Sequence, residues 1–265
     1  MKLAKRFVRA IDNFIDGIVT IVIIIILLLA LWGLWDELAP VRDATLTDDI
    51  SHYKPQETII VETSGGVVNQ SLSEMIDVYP NVVSWLQVYD TNIDYPVVQG
   101  ANNEAYIYTA INGEDSRSGS IFLDYRNNAL YEDTYSLLYG HHLIDGLMFS
   151  DVIKFGDEEY FNNHEWGKLW LEEHTFDIHI FACCTADGYD ETFFNPSIYG
   201  DGSTIVLHDI IKENSVYYRN IDVEEGDRII GFSTCTDIVT NGRVIVYGTL
   251  HEIEYEIKEG SVVSG

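Results

Sequence analysis

The longest apolar run in the chain, Gly17 to Trp35, contains no charged residue. As a helix rising about 1.5 Å per residue it spans roughly 28 Å, close to the roughly 30 Å of a bilayer core. Lys2, Lys5, Arg6 and Arg9 precede it, and Asp36 and Glu37 follow it. This pattern predicts an uncleaved signal anchor over 17–35, with residues 1–16 cytoplasmic and everything after residue 36 outside. A cleaved signal peptide is the competing reading. The run is long for an h-region, however, and no small-x-small cleavage site follows it.

Beyond the anchor the apolar segments shorten. Residues 36–70 are polar and irregular, with Pro40, Pro55 and Gly65-Gly66, and read as an extracellular stalk with one short strand at Thr58–Val61. Ser71 and Glu74 have the spacing of a capping box and predict a helix from Leu72 to Tyr79, stopped by Pro80. Val82–Val88 and Ile93–Val98 read as strands around a turn at Asp90-Thr91-Asn92. Ser120–Asp124 and Tyr135–Tyr139 read as core strands, whereas Met148–Phe155 and Glu158–Asn162 have helical spacing. Lys168–Leu171 and Phe176–Phe181 predict a hairpin around Glu172-Glu173-His174. Ser203 caps a predicted helix reaching Asn214, with Ile205, Leu207, Ile210 and Ile211 on its apolar side. The last two strands are Arg228–Cys235 and Arg243–Leu250. Many short strands with few helices predict a mainly β fold over 71–255: a closed or nearly closed barrel with helical insertions. Residues 256–265 form a C-terminal tail.

Charge narrows the class of partners. Of the 15 basic residues 4 precede the anchor, and of the 43 acidic residues 2 do, Asp12 and Asp16. The part beyond the anchor keeps 11 basic and 41 acidic residues, a net charge of −30. Such a surface repels nucleic acid and anionic lipid. It suits a soluble ectodomain without naming a partner. Three cysteines, Cys183, Cys184 and Cys235, are too few and too badly spaced for a disulfide framework. The adjacent pair is expected in the core, one residue on each face of a strand.

Cys235 stands apart, because an unpaired thiol at the end of a strand outside the cell needs a reason. Its run Arg228–Cys235 is followed by Arg243 at the head of the next strand, so a hairpin brings residues 235 and 243 to facing ends. Far upstream, Tyr139-Gly140-His141-His142 sets an imidazole at another strand end, with no Cβ crowding beside His141. Thiol, imidazole and guanidinium supply nucleophile, proton carrier and carbonyl stabiliser for acyl transfer. Zinc is a weaker reading: the histidines and cysteines lack Cys-x₂-Cys or His-x₃-His spacing. No cofactor or metal is expected.

The order Tyr-Gly-His-His at 139–142, Ser-Thr-Cys at 233–235 and Arg243 resembles the sortase family. Trp85–Val88 with Thr91–Gly100, and Gly119–Asn127, resemble its class B specifically, as does the helix at 203–214. The resemblance covers roughly residues 70–250. It implies a closed β-barrel of about eight strands behind the transmembrane helix, on the outer face of a Gram-positive cell membrane. By that similarity Cys235 attacks the carbonyl of a threonine in a C-terminal sorting motif of a surface protein or pilin. The enzyme is then a cysteine endopeptidase by class. His141 handles protons, Arg243 holds the carbonyl or oxyanion, and an amine from a cell-wall precursor or pilin lysine releases the thioacyl product. Asn92, Thr185 and Ser233 are further substrate-binding candidates. The alternatives are a non-enzymatic module that binds peptide or wall polymer, and a zinc-dependent hydrolase.

Overall fold

A run such as Ile229-Ile230-Gly231-Phe232 has no polar face, and the architecture explains why. In the computed structural model, which describes residues 2–39, 46–56, 60–63, 66–143, 146–235 and 241–253, the strand holding it is covered on both sides. Strands are numbered in chain order: β1 Ile60–Thr63, β2 Gly66–Asn69, β3 Val82–Val88, β4 Asp94–Gln99, β5 Ile121–Leu123 and β6 Tyr135–Tyr139. The rest are β7 Trp166–Trp170, β8 Thr175–Asp187, β9 Ser215–Tyr218, β10 Arg228–Cys235 and β11 Gly242–Glu252. The order β11-β10-β6-β5-β4-β3-β7-β8 closes on itself because β11 also pairs with β8. Eight strands therefore form a closed barrel, as expected. β9 adds to β8 beyond the end of β7, and β1 and β2 form a separate ribbon.

Side-chain alternation sorts the barrel into two faces. Ile230, Phe232, Val244, Val246, Ile178 and Cys183 point into the barrel core. Ile229, Ile245, Tyr247, Ala182 and Cys184 point outward, into a second cluster with Leu207 and Ile211 of helix Thr204–Asn214. At about 1.5–3 kcal/mol for each fully buried aliphatic side chain, that helix gains most of its stability from the sheet rather than from propensity. Cys183 and Cys184 do lie one on each face, both fully buried. Helix Gln70–Val78 covers a third cluster with Leu72, Met75, Trp85 and Ile50. Ile50 belongs to the 3₁₀ turn Leu46–Tyr53, within the segment read as a stalk.

Several boundaries differ from the sequence expectation for identifiable reasons. The helix expected from Leu72 begins at Gln70, because Asn69 is the cap: its Oδ1 accepts from Leu72 N at 3.1 Å. Ser203 stands at the N-cap of the later helix but its hydroxyl turns back to the Gly200 carbonyl. The Glu225 carboxylate takes the helix N–H groups of Thr204 and Ile205 instead, at 2.9 and 3.4 Å. That helix buries Thr204 and His208 with Leu207 and Ile211, while Ile205 is 36 % exposed. Met148–Phe155 resolves into a 3₁₀ turn at Ser150–Gly156. β8 runs on from the expected hairpin through both cysteines to Asp187. Of the strand expected at Thr58–Val61, residues 58 and 59 lie outside the described residues, as does the tail 256–265.

Helix Lys2–Glu37 contains a stretch, Asn13–Glu37, long and apolar enough to cross a membrane. Its most apolar window has mean hydropathy 3.1, and none of that window is buried.

Candidate active site

Three neighbouring strands, β6, β10 and β11, end at the same rim of the barrel. β10 runs parallel to β6, with Ser233 opposite Tyr139, and antiparallel to β11, with Cys235 opposite Arg243. Facing residues of an antiparallel pair have Cα atoms about 4.5–5.5 Å apart and share a face. Counting along each strand puts positions 139, 233, 235 and 243 on the outer face. Two bonds continue the β6–β10 seam past the end of the ladder. Gly140 N donates to the Ser233 carbonyl at 3.1 Å, and the Thr234 hydroxyl donates to the Gly140 carbonyl at 2.9 Å. His141 is thereby brought beside the strand end that carries Cys235. The backbone of Cys235 is part of β10; its side chain, with Thr236 and Asp237, lies outside the described residues.

His141 is held rather than loose. Its Nε2 lies 2.7 Å from the Ile107 carbonyl, the Tyr108 ring packs against it at a tilt with centroids 5.4 Å apart, and its own carbonyl accepts from Phe149 N at 3.0 Å. Two glycines permit this approach. A Cβ on Gly140 would meet Ile121 Cδ1 at 2.4 Å and Phe149 Cγ at 2.7 Å. Gly119, at φ +60°, passes so close that a Cβ there would lie 2.2 Å from the Ile107 oxygen. Burial lowers the His141 pKa first of all; the Ile107 bond opposes this, and the charge of Arg243 lowers it further. The imidazole is therefore biased to the neutral form. His142 is exposed and pairs with Met148, turned to other work.

Arg243 is partly buried and bonds the Gly242 carbonyl at 3.4 Å. Its charge reaches both His141 and Asp187. Asp187 is held below the usual carboxylate range by Tyr189 N–H, then by the Asn241 amide, with Arg243 adding to them. Of the remaining candidates, Ser233 sits on the floor with its hydroxyl buried and unpartnered among the described residues. Thr185 is exposed opposite Val244, one register step from Arg243. Asn92 is elsewhere, in the β3–β4 turn. Its backbone and side-chain nitrogens both donate to Asp151 Oδ2 at 2.8 Å, tying that turn to the 3₁₀ segment after the histidine loop. Sequence reasoning missed Ile107, which acts through a carbonyl and leaves no side-chain signal. It also gave no role to Asp124 and Arg126, although their motif was noticed.

A strand-end histidine, cysteine and arginine on three adjacent strands of an eight-stranded barrel invite comparison with known proteins. No family model matches the chain. It is 30 % identical over 249 residues to sortase B of Listeria monocytogenes, covering 91 % of this chain and 98 % of that protein. The chain belongs to the class B sortase family. Class B folds bear this out: a sortase B-like protein of Bacillus anthracis superposes with TM-score 0.68 and 29 % identity, over 81 % of this chain and 98 % of that one. A Streptococcus pyogenes class B sortase involved in pilus biogenesis has TM-score 0.63 and 39 % identity, over 68 % of this chain and 97 % of that one. Membership makes the chain a sortase-type transpeptidase.

Proposed function

We propose that this class B sortase works from the bilayer surface as a cysteine transpeptidase with Cys235 as nucleophile. The observation that carries the reading is the register pair Cys235–Arg243 beside the β6–β10 seam that brings His141 to the same rim. Transfer of the thiol proton to His141 leaves the Cys235 thiolate, which attacks the threonine carbonyl of a C-terminal sorting motif. Arg243 stabilises the oxygen that becomes negative, and His141 gives a proton to the leaving amine. The C–N bond breaks and a thioester forms. An incoming primary amine then attacks that thioester, transfers its proton to His141, and frees the thiolate as the new amide forms.

The neutral bias of His141 supports the second half of the cycle, in which it must accept a proton. The buried, unpartnered hydroxyl of Ser233 supports a role on the substrate floor. Thr185, exposed at the open rim one register step from Arg243, is the weaker substrate-binding candidate. Asn92, exposed in the β3–β4 turn and tied to Asp151, is the remaining substrate-binding candidate. Helix Lys2–Glu37 anchors the protein, with its four basic residues on the cytoplasmic side. The similarity to an S. pyogenes class B sortase involved in pilus biogenesis favours a pilin lysine as the acceptor amine.

The test is to incubate the full-length chain in detergent with a pool of threonine-containing sorting peptides and read intact mass. A peptide retained as a thioester on Cys235, and released as an amide when a lysine-bearing peptide is added, is the expected result. Absence of any adduct on Cys235, with the protein folded, would reject the mechanism.

A further inference from the structure

The segment from Gly188 to Tyr199, containing the helix Glu191–Phe194 and the turn Pro196–Ile198, arches over the outer face of the barrel. One foot stands beside Arg243: Gly188 N donates to the Asn241 carbonyl at 2.9 Å, and the Asn241 amide donates to Asp187 at 2.9 Å. Midway, the Tyr135 hydroxyl donates to the Phe193 carbonyl at 3.0 Å. One side chain grips the segment just past this midpoint. Arg126 donates from Nη2 to the Phe194 carbonyl at 2.6 Å and from Nη1 to Asn195 Oδ1 at 2.8 Å. The same guanidinium donates from Nε and Nη2 to Asp124 at 2.8 and 2.7 Å.

Asp124 is fully buried, and its carboxylate also accepts from the Tyr139 hydroxyl at 3.0 Å and the Asn103 amide at 2.8 Å. Tyr139 is the floor residue opposite Ser233, two positions before His141, and Phe122 stacks on its ring at 5.2 Å. The arch thus starts beside Arg243 and is joined at its middle, through Arg126 and Asp124, to Tyr139 of the floor. A planar fork that satisfies a buried carboxylate on one side, and a backbone carbonyl and an amide side-chain oxygen on the other, is a job that lysine cannot do.

We propose that Arg126 is a positioning residue that sets the wall of the peptide groove. It ties the 188–199 arch to the Asp124–Tyr139 floor, so that the sorting peptide meets a preformed channel to Cys235. Loss of the tether leaves the reacting groups in place and charges each binding event with ordering the arch.

This inference rests on the transpeptidase reading. Its probe is the peptide found as the Cys235 adduct. Arg126→Met should raise KM about tenfold with kcat within about threefold. Because that variant strands a buried carboxylate, the double variant Asp124→Asn/Arg126→Met is measured beside it. There the charge is gone and an acceptor for Tyr139 remains. The double variant should regain most of the lost Tm and keep the raised KM. Amide exchange across 188–199, which needs no substrate, should quicken in both variants. Restoration of KM in the double variant, an unchanged KM in Arg126→Met, a fall in kcat alone, or unchanged exchange would each overturn the proposal. A wild-type protein that forms no adduct defeats the transpeptidase reading instead.

Discussion

The middle of β8 and the end of β10 both carry cysteine, and the two places make opposite use of it. Cys183 and Cys184 lie mid-strand, one on each face of the barrel, fully buried; burial pushes both thiols up to about 12. They are small hydrophobes that happen to contain sulfur. Cys235 closes its strand at the barrel rim, in register with a cation and beside a seam that delivers an imidazole. On the proposed mechanism, what separates an inert thiol from a nucleophile is position along the strand. A strand interior offers only packing, and a strand end offers neighbours from other strands together with access to solvent.

The comparison breaks most plainly on substitution. Cys235→Ala should abolish adduct formation and lower transpeptidation on the order of 10⁴-fold or more, with Tm nearly unchanged. Cys183→Ala and Cys184→Ala should do the reverse, with activity within about twofold and stability down by about 1–2 kcal/mol. Peptide-adduct and melting measurements on the three variants decide it. A catalytic loss at 183 or 184 without a loss of stability would erase the distinction. Arg243→Ala should lower kcat by roughly 10²–10³, the usual consequence of removing one oxyanion donor. A near-normal single-turnover rate would remove Arg243 from the mechanism.

A smaller effect sharpens the role of the seam. Gly140→Ala forces Ile121 or Phe149 aside, at about 1–3 kcal/mol of overpacking. The displaced His141 should cost roughly 10-fold to 10²-fold in rate. An alanine variant that melts lower yet turns over normally would show that the glycine serves packing alone. The smallest effect is in pH. Burial first, and Arg243 after it, hold His141 below its ordinary value, so the unfolded chain takes up a proton that the native imidazole refuses. Stability should therefore fall as pH drops through about 6.5 and level off below the native value. His208, lowered chiefly by burial, contributes with the same sign. Denaturant titrations should show a shallower fall for His141→Asn, and an identical profile would contradict the assignment.

How much of this was legible in the sequence follows from how each feature is encoded. β10 and β11 were readable because fully covered strands are continuous apolar runs, and their pairing put Cys235 opposite Arg243 before any coordinates. The closed barrel followed from strand count and family resemblance. The Glu225 cap on the helix at Thr204 was not readable, since the carboxylate arrives from 20 residues away while Ser203 offers a plausible local signal. The 3₁₀ character of Ser150–Gly156 was hidden for a related reason: Asp151 spends its side chain on Asn92 and Lys154, a tertiary demand with no period. Asn92 illustrates the same limit, since nothing in the sequence announced the bonds to Asp151 that tie its turn to the 3₁₀ segment. An exposed turn asparagine looks alike whether its amide meets a ligand or a neighbouring loop.

β11 is the last strand among the described residues and the one that closes the ring, by pairing with both β10 and β8. It also carries Arg243. A polypeptide emerging from its N-terminus exposes His141 first, Cys235 some 94 residues later, and the arginine last. On the proposed mechanism, competence therefore waits for the closing strand: a chain ending before β11 would hold Cys235 and His141 but lack both the arginine and the pairing that shuts the cylinder.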